Sequence, residues 1–517
     1  MEKHLPAMNS VARTAQRAQV CVIAALALFF IFPVTTMVAK YVRPTEVLHA
    51  LTNSSLRDVW WFTFWQAIAS TAFTILVAMP FTWAVSRHSF RFSRALTNFI
   101  TVPFLMPAVV IATGVRALLP HASVPAILWA HVVFNVAVVV RMVGPQWALL
   151  DPTMEDTAAD LGAGKLRTFF TVVLPHIRSS LRNATAVVFL FCFTSFAVVA
   201  ILGGISHRTI ESEIFTQAVR LGNTRTATSL ALLQAVVVLS VIRLSRVSTS
   251  QHQGESTVQS HVAARTSMTV RLATAVYGPV IIVTAPIVAV VLRSFMLNGH
   301  FTVNGYRWLF NGSTEAVGIN IPHTIVSSLV FAAMCAVIAT TAAFIISAAR
   351  NQTSLVPFIT AMPLAISAVT LGLGLIITFN TWPCNWRSQW WLIPIIHSVI
   401  ALPLALRTVY PALQTLPHDL YEASASLGAS PWRTLVRIEI PLLRPALTRA
   451  AGFSAAVSLG EFGATSFLSR SGTTTIPIAI GQLLGRPGDV MSQSAFALAS
   501  LVVVTLVLAP QVRRHRR

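Results

Sequence analysis

The stretch Glu422-Ala423-Ser424-Ala425-Ser426-Leu427-Gly428-Ala429, followed by Ile440-Pro441, has a counterpart 266 positions earlier. That counterpart is Asp156-Thr157-Ala158-Ala159-Asp160-Leu161-Gly162-Ala163, followed by Leu174-Pro175. In both copies an acidic residue stands six places before the glycine, and the glycine thirteen before the proline. The same offset pairs His131 with His397, Arg141 with Arg407, Pro145 with Pro411, Arg178 with Arg444, Phe196 with Phe462, Thr209 with Thr475, Arg220 with Arg486 and Gly222 with Gly488. A chance repeat would not keep one offset from 131 to 222. The chain is two copies of one unit, each carrying the same polar loop between apolar runs.

Composition places both copies in a membrane. Apolar residues make up 55% of the chain and charged residues only 10%, against about 25% charged in a soluble domain. Crossing the hydrocarbon takes about 20 apolar residues. Runs of that order lie at 20–39, 60–85, 96–119, 124–143, 184–203 and 227–244, and again at 273–296, 324–348, 355–379, 390–409, 449–469 and 494–510. The expectation is an all-α membrane protein of about twelve transmembrane helices in two six-helix repeats. An even number of helices starts both repeats on the same side, so they are parallel and related by a pseudo-twofold axis along the membrane normal. Pro103, Pro107, Pro363 and Pro403 mark places where a helix is expected to kink or shift its boundary.

A net charge of +21 would suit a nucleic-acid partner if it formed a stripe. Instead, most lysines and arginines fall on segments that share a side with the N-terminus, the positive-inside pattern. Both termini and both repeated loops are therefore expected in the cytoplasm, with no nucleic-acid partner. Residues 246–271 shift to Ser, Thr, Gln, His and Gly without apolar periodicity. They read as a linker between a first repeat, 1–250, with its loop at 154–177, and a second, 272–517, with its loop at 419–443. The first apolar run lacks a small-residue cleavage site and reads as a helix. Cys21, Cys192, Cys335 and Cys384 have no CxxC spacing and suggest neither a metal site nor a disulfide framework. Trp60, Trp61, Trp65, Trp382, Trp386, Trp390 and Trp391 cluster where helices are expected to meet the outer surface, as in an aromatic belt.

The loops carry the functional reading. Residues 417–427 have helical spacing, and Gly428 with Ser430-Pro431 stops the helix. So short a helix is marginal in water and needs a partner to pack on. Glu422 complements the helix dipole near its start, and Tyr421 and Leu427 offer apolar anchors. Gly162-Ala163-Gly164-Lys165 is not a phosphate-binding loop, because Ala159 and Leu166 stand where that motif needs Gly and Ser or Thr. With no HExxH, nucleophile elbow or paired catalytic carboxylates, the chain is expected to catalyse no covalent chemistry.

These segments resemble the EAA loops of ABC-importer permeases, in which Glu-Ala-Ala precedes a glycine and a later Leu-Pro. The resemblance implies a type I ABC importer, MetI-like permease fold in a bacterial inner membrane. It implies coupling helices docked on cytoplasmic ABC ATPase subunits, two copies, with ATP used by that partner and no cofactor bound here. Carried over, Asp156, Leu161 and Gly162 form the first docking site, and Glu422, Ala423, Leu427 and Gly428 the second. The first copy departs from the pattern, since Asp156-Thr157 replaces Glu-Ala and Glu155 lies one residue early. Phe62-Thr63-Phe64-Trp65-Gln66-Ala67, Ala130-His131-Val132-Val133-Phe134-Asn135 and Phe191-Cys192-Phe193-Thr194-Ser195-Phe196-Ala197 resemble the fused permeases for thiamine and its phosphates, with iron(III) permeases second. Ser458-Leu459-Gly460-Glu461-Phe462-Gly463 is similar to sulfate and molybdate permeases as well. An extracytoplasmic substrate-binding protein is implied, touching segments 205–225 and 471–490.

Ionisable groups in mid-membrane usually face a cavity or a partner. That singles out His131, Asn135, Ser195, His397 and Glu461 as pathway candidates, against the alternative that each serves helix packing. Symmetry would place the two histidines near each other or near the axis. Two other classes account for the matched loops and the doubling less well. An ion-driven secondary transporter does not need two matched glycine-stopped loops, and a receptor without transport does not need the doubling.

Overall fold

The computed structural model describes residues 17–121, 123–245, 268–311, 314, 318–348, 366–380, 385–417 and 419–514. The expected linker at 246–271 lies almost wholly outside them. In chain order the first half contains α1 (Arg17–Tyr41), α2 (Ser54–Arg87), α3 (Ser93–Leu105), α4 (Ala108–Leu118), α5 (Val124–Ala148), the surface helix α6 (Pro152–Asp160), α7 (Leu174–Phe193), α8 (Ala197–Leu202), α9 (Ile210–Phe215) and α10 (Thr224–Ser245). The second half repeats the plan with α11 (Val270–Ser294), α12 (Ile321–Ala348), α13 (Ala368–Thr378), α14 (Leu392–Gln414), α15 (Asp419–Ser426), α16 (Ile440–Gly460), α17 (Gly463–Leu468), α18 (Ile476–Leu484) and α19 (Asp489–Arg514).

Among the described residues, eight helices are long and apolar enough to span a membrane, and a ninth if α3 and α4 count as one broken span. Among the expected twelve runs, two are corrected by breaks, and a third bends at one of the prolines expected to kink it. The run 96–119 bends by 102°, because Pro107 drives Met106 to an extended backbone, φ −79° and ψ 148°. The runs 184–203 and 449–469 break at Thr194–Phe196 and at Glu461-Phe462, with α8 and α17 continuing beyond. The helices before these breaks also start earlier than expected, at Leu174 and Ile440. Of the run 355–379, residues 355–365 lie outside the described set and 368–378 form α13. Broken helices are tolerated at membrane depth when protein, not lipid, surrounds the free backbone groups.

Packing follows the duplication. In the first half α2, α5 and α7 pack against one another, and in the second α12, α14 and α16 do the same. The first helix of each half crosses to the other: α1 lies on α13, and α11 lies on α4. Each crossing is made at a glycine facing a proline. A Cβ on Gly114 would lie 2.3 Å from the Pro286 carbonyl oxygen, and one on Gly374 would lie 3.2 Å from that of Pro33. The Trp129 indole donates to the Ile282 carbonyl (3.0 Å) and Arg293 Nε to that of Ala117 (3.2 Å), fastening the α11 crossing. One buried apolar cluster accordingly runs from Met37 to Val503 through both halves.

Candidate functional site

The two repeated loops fold alike. In each, a short helix ends on a glycine in the left-handed region, Gly162 at φ 81° and Gly428 at φ 72°. In each, two backbone bonds close the turn. Gly162 N–H donates to the Ala159 carbonyl and Ala163 N–H to that of Ala158, both at 2.9 Å; Gly428 donates to Ala425 (2.9 Å) and Ala429 to Ser424 (3.0 Å). These are Schellman closures, whose left-handed residue is glycine because a Cβ there is strained. The chain then re-enters as a helix from Lys165 or Pro431, through a π turn at Phe169–Val173 or Leu435–Glu439. Pro175 and Pro441 lie two residues beyond those turns. Proline lacks the N–H that an α ladder needs and clashes with the carbonyl four residues back, which the wider turn relieves. The Leu-Pro of the sequence pattern therefore has a local structural cause.

Between helix and re-entry, each loop exposes a matched apolar pair. Leu161 is 83% exposed and Leu166 77%; Leu427 is 87% exposed and Trp432, at the position equivalent to Leu166, 70%. Large apolar side chains left in water at symmetric positions mark a surface meant for a partner. Asp156, Ala423 and Glu422 are exposed on the same helices. Leu166 and Trp432 are large apolar residues at the 266-residue offset, and only the folded loop shows that both are exposed.

The loops differ in how they are tethered. In the second, Ser424 and Thr434 are buried and their hydroxyls share a hydrogen bond of 2.9 Å. In the first, Ala158 replaces Ser424, and Thr168 reaches only the Ala163 carbonyl at 3.5 Å. Instead Arg87, at the end of α2, pairs with Glu155 and also donates to the Leu150 carbonyl (2.7 Å). The early glutamate is thus turned toward α2, and Asp156 keeps the exposed position.

In mid-membrane, each candidate histidine bonds within its own half. His131 Nδ1 shares a hydrogen bond with Ser70 Oγ at 2.9 Å, and Asn135 Nδ2 donates to the His131 carbonyl (2.9 Å) and toward Cys192 Sγ (3.5 Å). His131 Nε2 and Asn135 Oδ1 are buried without a bond to any described residue. His397 Nδ1 bonds Ser458 Oγ (2.7 Å), and its Nε2 bonds Thr465 Oγ1 (2.9 Å) and lies 3.6 Å from Glu461 Oε2. The Glu461 carboxylate accepts the N–H groups of Ala464 and Thr465, both at 2.9 Å, capping the start of α17. No hydrogen bond joins the two histidines among the described residues. Ser195, the repeat counterpart of Glu461, sits in the break between α7 and α8, and its carbonyl accepts from Thr209 Oγ1 at 3.4 Å.

Aromatic rings and one carboxylate meet between the halves. Phe196 stacks on its repeat mate Phe462, centroids 5.4 Å apart and planes at 27°. Phe215 packs on Phe196 (5.4 Å) and edge-on against Phe467 (5.3 Å). Buried Glu211 accepts from Gln234 Nε2 (2.7 Å) and, across the halves, from Ser367 Oγ (3.1 Å). Nothing in the sequence signals that Glu211 reaches Ser367 across the halves. The segments expected to face outward start alike. The first N–H of α9 goes to Thr63 Oγ1 (3.0 Å) and that of α18 to Ser328 Oγ (2.8 Å). Just before α18, burial and then the charge of Arg387 lower the pKa of Arg470 from the usual guanidinium value.

Comparison with known proteins agrees with this doubled arrangement. The family model for "Binding-protein-dependent transport system inner membrane component" matches twice, at residues 77–248 and 337–515. The thiamine transport system permease protein ThiP of Brucella abortus is 24% identical over 475 residues, 86% of this chain and 84% of that protein; its Brucella suis counterpart matches to the same extent. A Salmonella typhimurium protein named as a 2-aminoethylphosphonate transport system permease, PhnV, is 33% identical over 153 residues, 30% of this chain. The chain spans 57% of the length of that relative. Two matched domains, two alike loops and a doubled set of apolar spans lead to one conclusion: the chain belongs to the family of inner-membrane components of binding-protein-dependent transport systems.

Proposed function

We propose that the chain is the permease subunit of an ATP-driven ABC importer, and that α6 and α15 are its coupling helices. The observation that carries this is the pair of loops with the same Schellman closure and the same exposed apolar residues, Leu161 with Leu166 and Leu427 with Trp432. Each would seat in a cleft of one cytoplasmic ATPase subunit, two per chain, with both termini in the cytoplasm. An extracytoplasmic binding protein would deliver substrate to segments 205–225 and 471–490. When ATP brings the ATPases together, α6 and α15 move with them. The halves, hinged at the α1 and α11 crossings, then separate at the Phe196–Phe462 stack. The coupling is reciprocal, so loaded binding protein raises ATP hydrolysis. Glu422→Lys places a cation in this interface; ATPase association and stimulated hydrolysis at wild-type levels would contradict the assignment.

The substrate reading we favour is thiamine or its phosphates, supported by a likeness to a thiamine permease that extends over most of both chains. A second reading, an aminophosphonate, has the higher identity in its favour, although over a shorter stretch. Uptake of labelled thiamine and of labelled 2-aminoethylphosphonate in a strain lacking this chain separates the two. Loss of thiamine uptake alone is expected; loss of 2-aminoethylphosphonate or iron(III) uptake with thiamine uptake intact would overturn the choice.

A further inference from the structure

Away from the interface between the halves, α2, α7 and α10 of the first half enclose a groove of about 850 Å³. Its walls are apolar, with Ile68 and Ile75 from α2, Phe189 from α7 and Val241 from α10, and Ile68 is itself exposed on the molecular surface. At membrane depth, an exposed apolar groove on the outside of a helix bundle meets lipid chains rather than water. Near the re-entry point of the first loop, Arg178 and Arg182 line the same groove. They stand one turn apart on α7, so their like charges share a face and repel. Both are exposed, and neither forms an ion pair with a described residue.

We propose that this groove binds one anionic phospholipid, its phosphate held between Arg178 and Arg182 and its acyl chains laid along Ile68, Ile75 and Phe189. A phosphate between the two guanidiniums relieves their repulsion and accepts from both, which a zwitterionic headgroup does less well. Basic pockets between transmembrane helices at the membrane surface are suited to such headgroups. The site belongs to the first half alone. At the 266-residue offset Arg182 becomes Thr448, Ile75 becomes Thr341 and Phe189 becomes Ala455, removing one charge and much of the wall. All its helices come from one half, so it is separate from any pathway between the halves and independent of which substrate the chain carries.

Native mass spectrometry of the purified, delipidated full-length chain tests this, after titration with phosphatidylglycerol or with phosphatidylcholine of the same acyl chains. Wild type is expected to retain one phosphatidylglycerol in clear preference to phosphatidylcholine. Arg178→Gln/Arg182→Gln is expected to weaken that retention about thirtyfold, two basic residues each contributing about fivefold. Thr185→Trp, which fills the groove without altering charge, is expected to reduce retention of both lipids. It carries the test should the double variant fail to fold. The proposal is overturned if wild type does not discriminate between the lipids, or if the double variant retains phosphatidylglycerol as wild type does. An equal loss in Arg444→Gln, the second-half equivalent, would mean general surface charge and overturn it too. So would a wild-type chain that takes up no lipid, the result expected if another segment of the chain fills the groove.

Discussion

Glu461 shows how a buried carboxylate in an apolar run can hold the start of a helix. An acid in the middle of an apolar run suggests a substrate contact, but its oxygens accept two backbone N–H groups at the start of α17 and face His397. Glu461→Ala should therefore lower thermal stability by about 1–2 kcal/mol, the order of a lost helix cap, which a denaturation series in detergent would measure. At the loops, residue-scale effects should divide the other way. Leu427 is mostly exposed, so Leu427→Ala should leave unfolding within about 0.5 kcal/mol of wild type while ATP-driven uptake falls. Gly428 has a positive φ with nothing within contact of an added Cβ. Gly428→Ala should cost about 1 kcal/mol of backbone strain in the loop and lower coupling without a steric clash. Reduced stability of the whole chain with intact coupling would argue that the loop is only a connector.

At the scale of elements, much was legible because the duplication is written in register. The short loop helices and their glycine stops could be read from spacing. The breaks after α7 and α16 could not. Apolar residues continue through 194–203 and 461–469, and hydropathy does not register that Ser195 or Glu461 has left the helix. Nor could the crossing of α1 and α11, since Pro33 with Gly374 and Pro286 with Gly114 meet only after folding. The two crossings are unequal. An added Cβ on Gly114 would be far inside contact with backbone, whereas one on Gly374 would be only tight. Gly114→Ala should destabilise the chain by about 1–3 kcal/mol, the usual cost of overpacking, and Gly374→Ala by less. Paired melting curves would check the ranking, and equal effects would contradict the packing described.

For the whole molecule, pseudo-symmetry holds the frame, and local departures from it set the two halves apart. Phe196 and Phe462 are repeat mates that meet, but Phe215, which packs on Phe196, has Gly481 as its counterpart, closely approached by the Phe462 ring. A double-mutant cycle with Phe196→Ala and Phe462→Ala should give a coupling of about 0.5–1.5 kcal/mol, together with uptake less dependent on ATP. The loops differ in the same way, one tethered by Arg87 and Glu155, the other by Ser424 and Thr434. The central claim is that both serve as docking helices. Its most direct test is the number of ATPase subunits bound to the purified full-length chain, with their ATP hydrolysis, in wild type and in Leu161→Asp, Leu427→Asp and the double variant. Two subunits on wild type, fewer on each single variant with loss of stimulated hydrolysis, and none on the double variant are predicted. A double variant that still holds two ATPases, with hydrolysis stimulated as in wild type, would contradict the account.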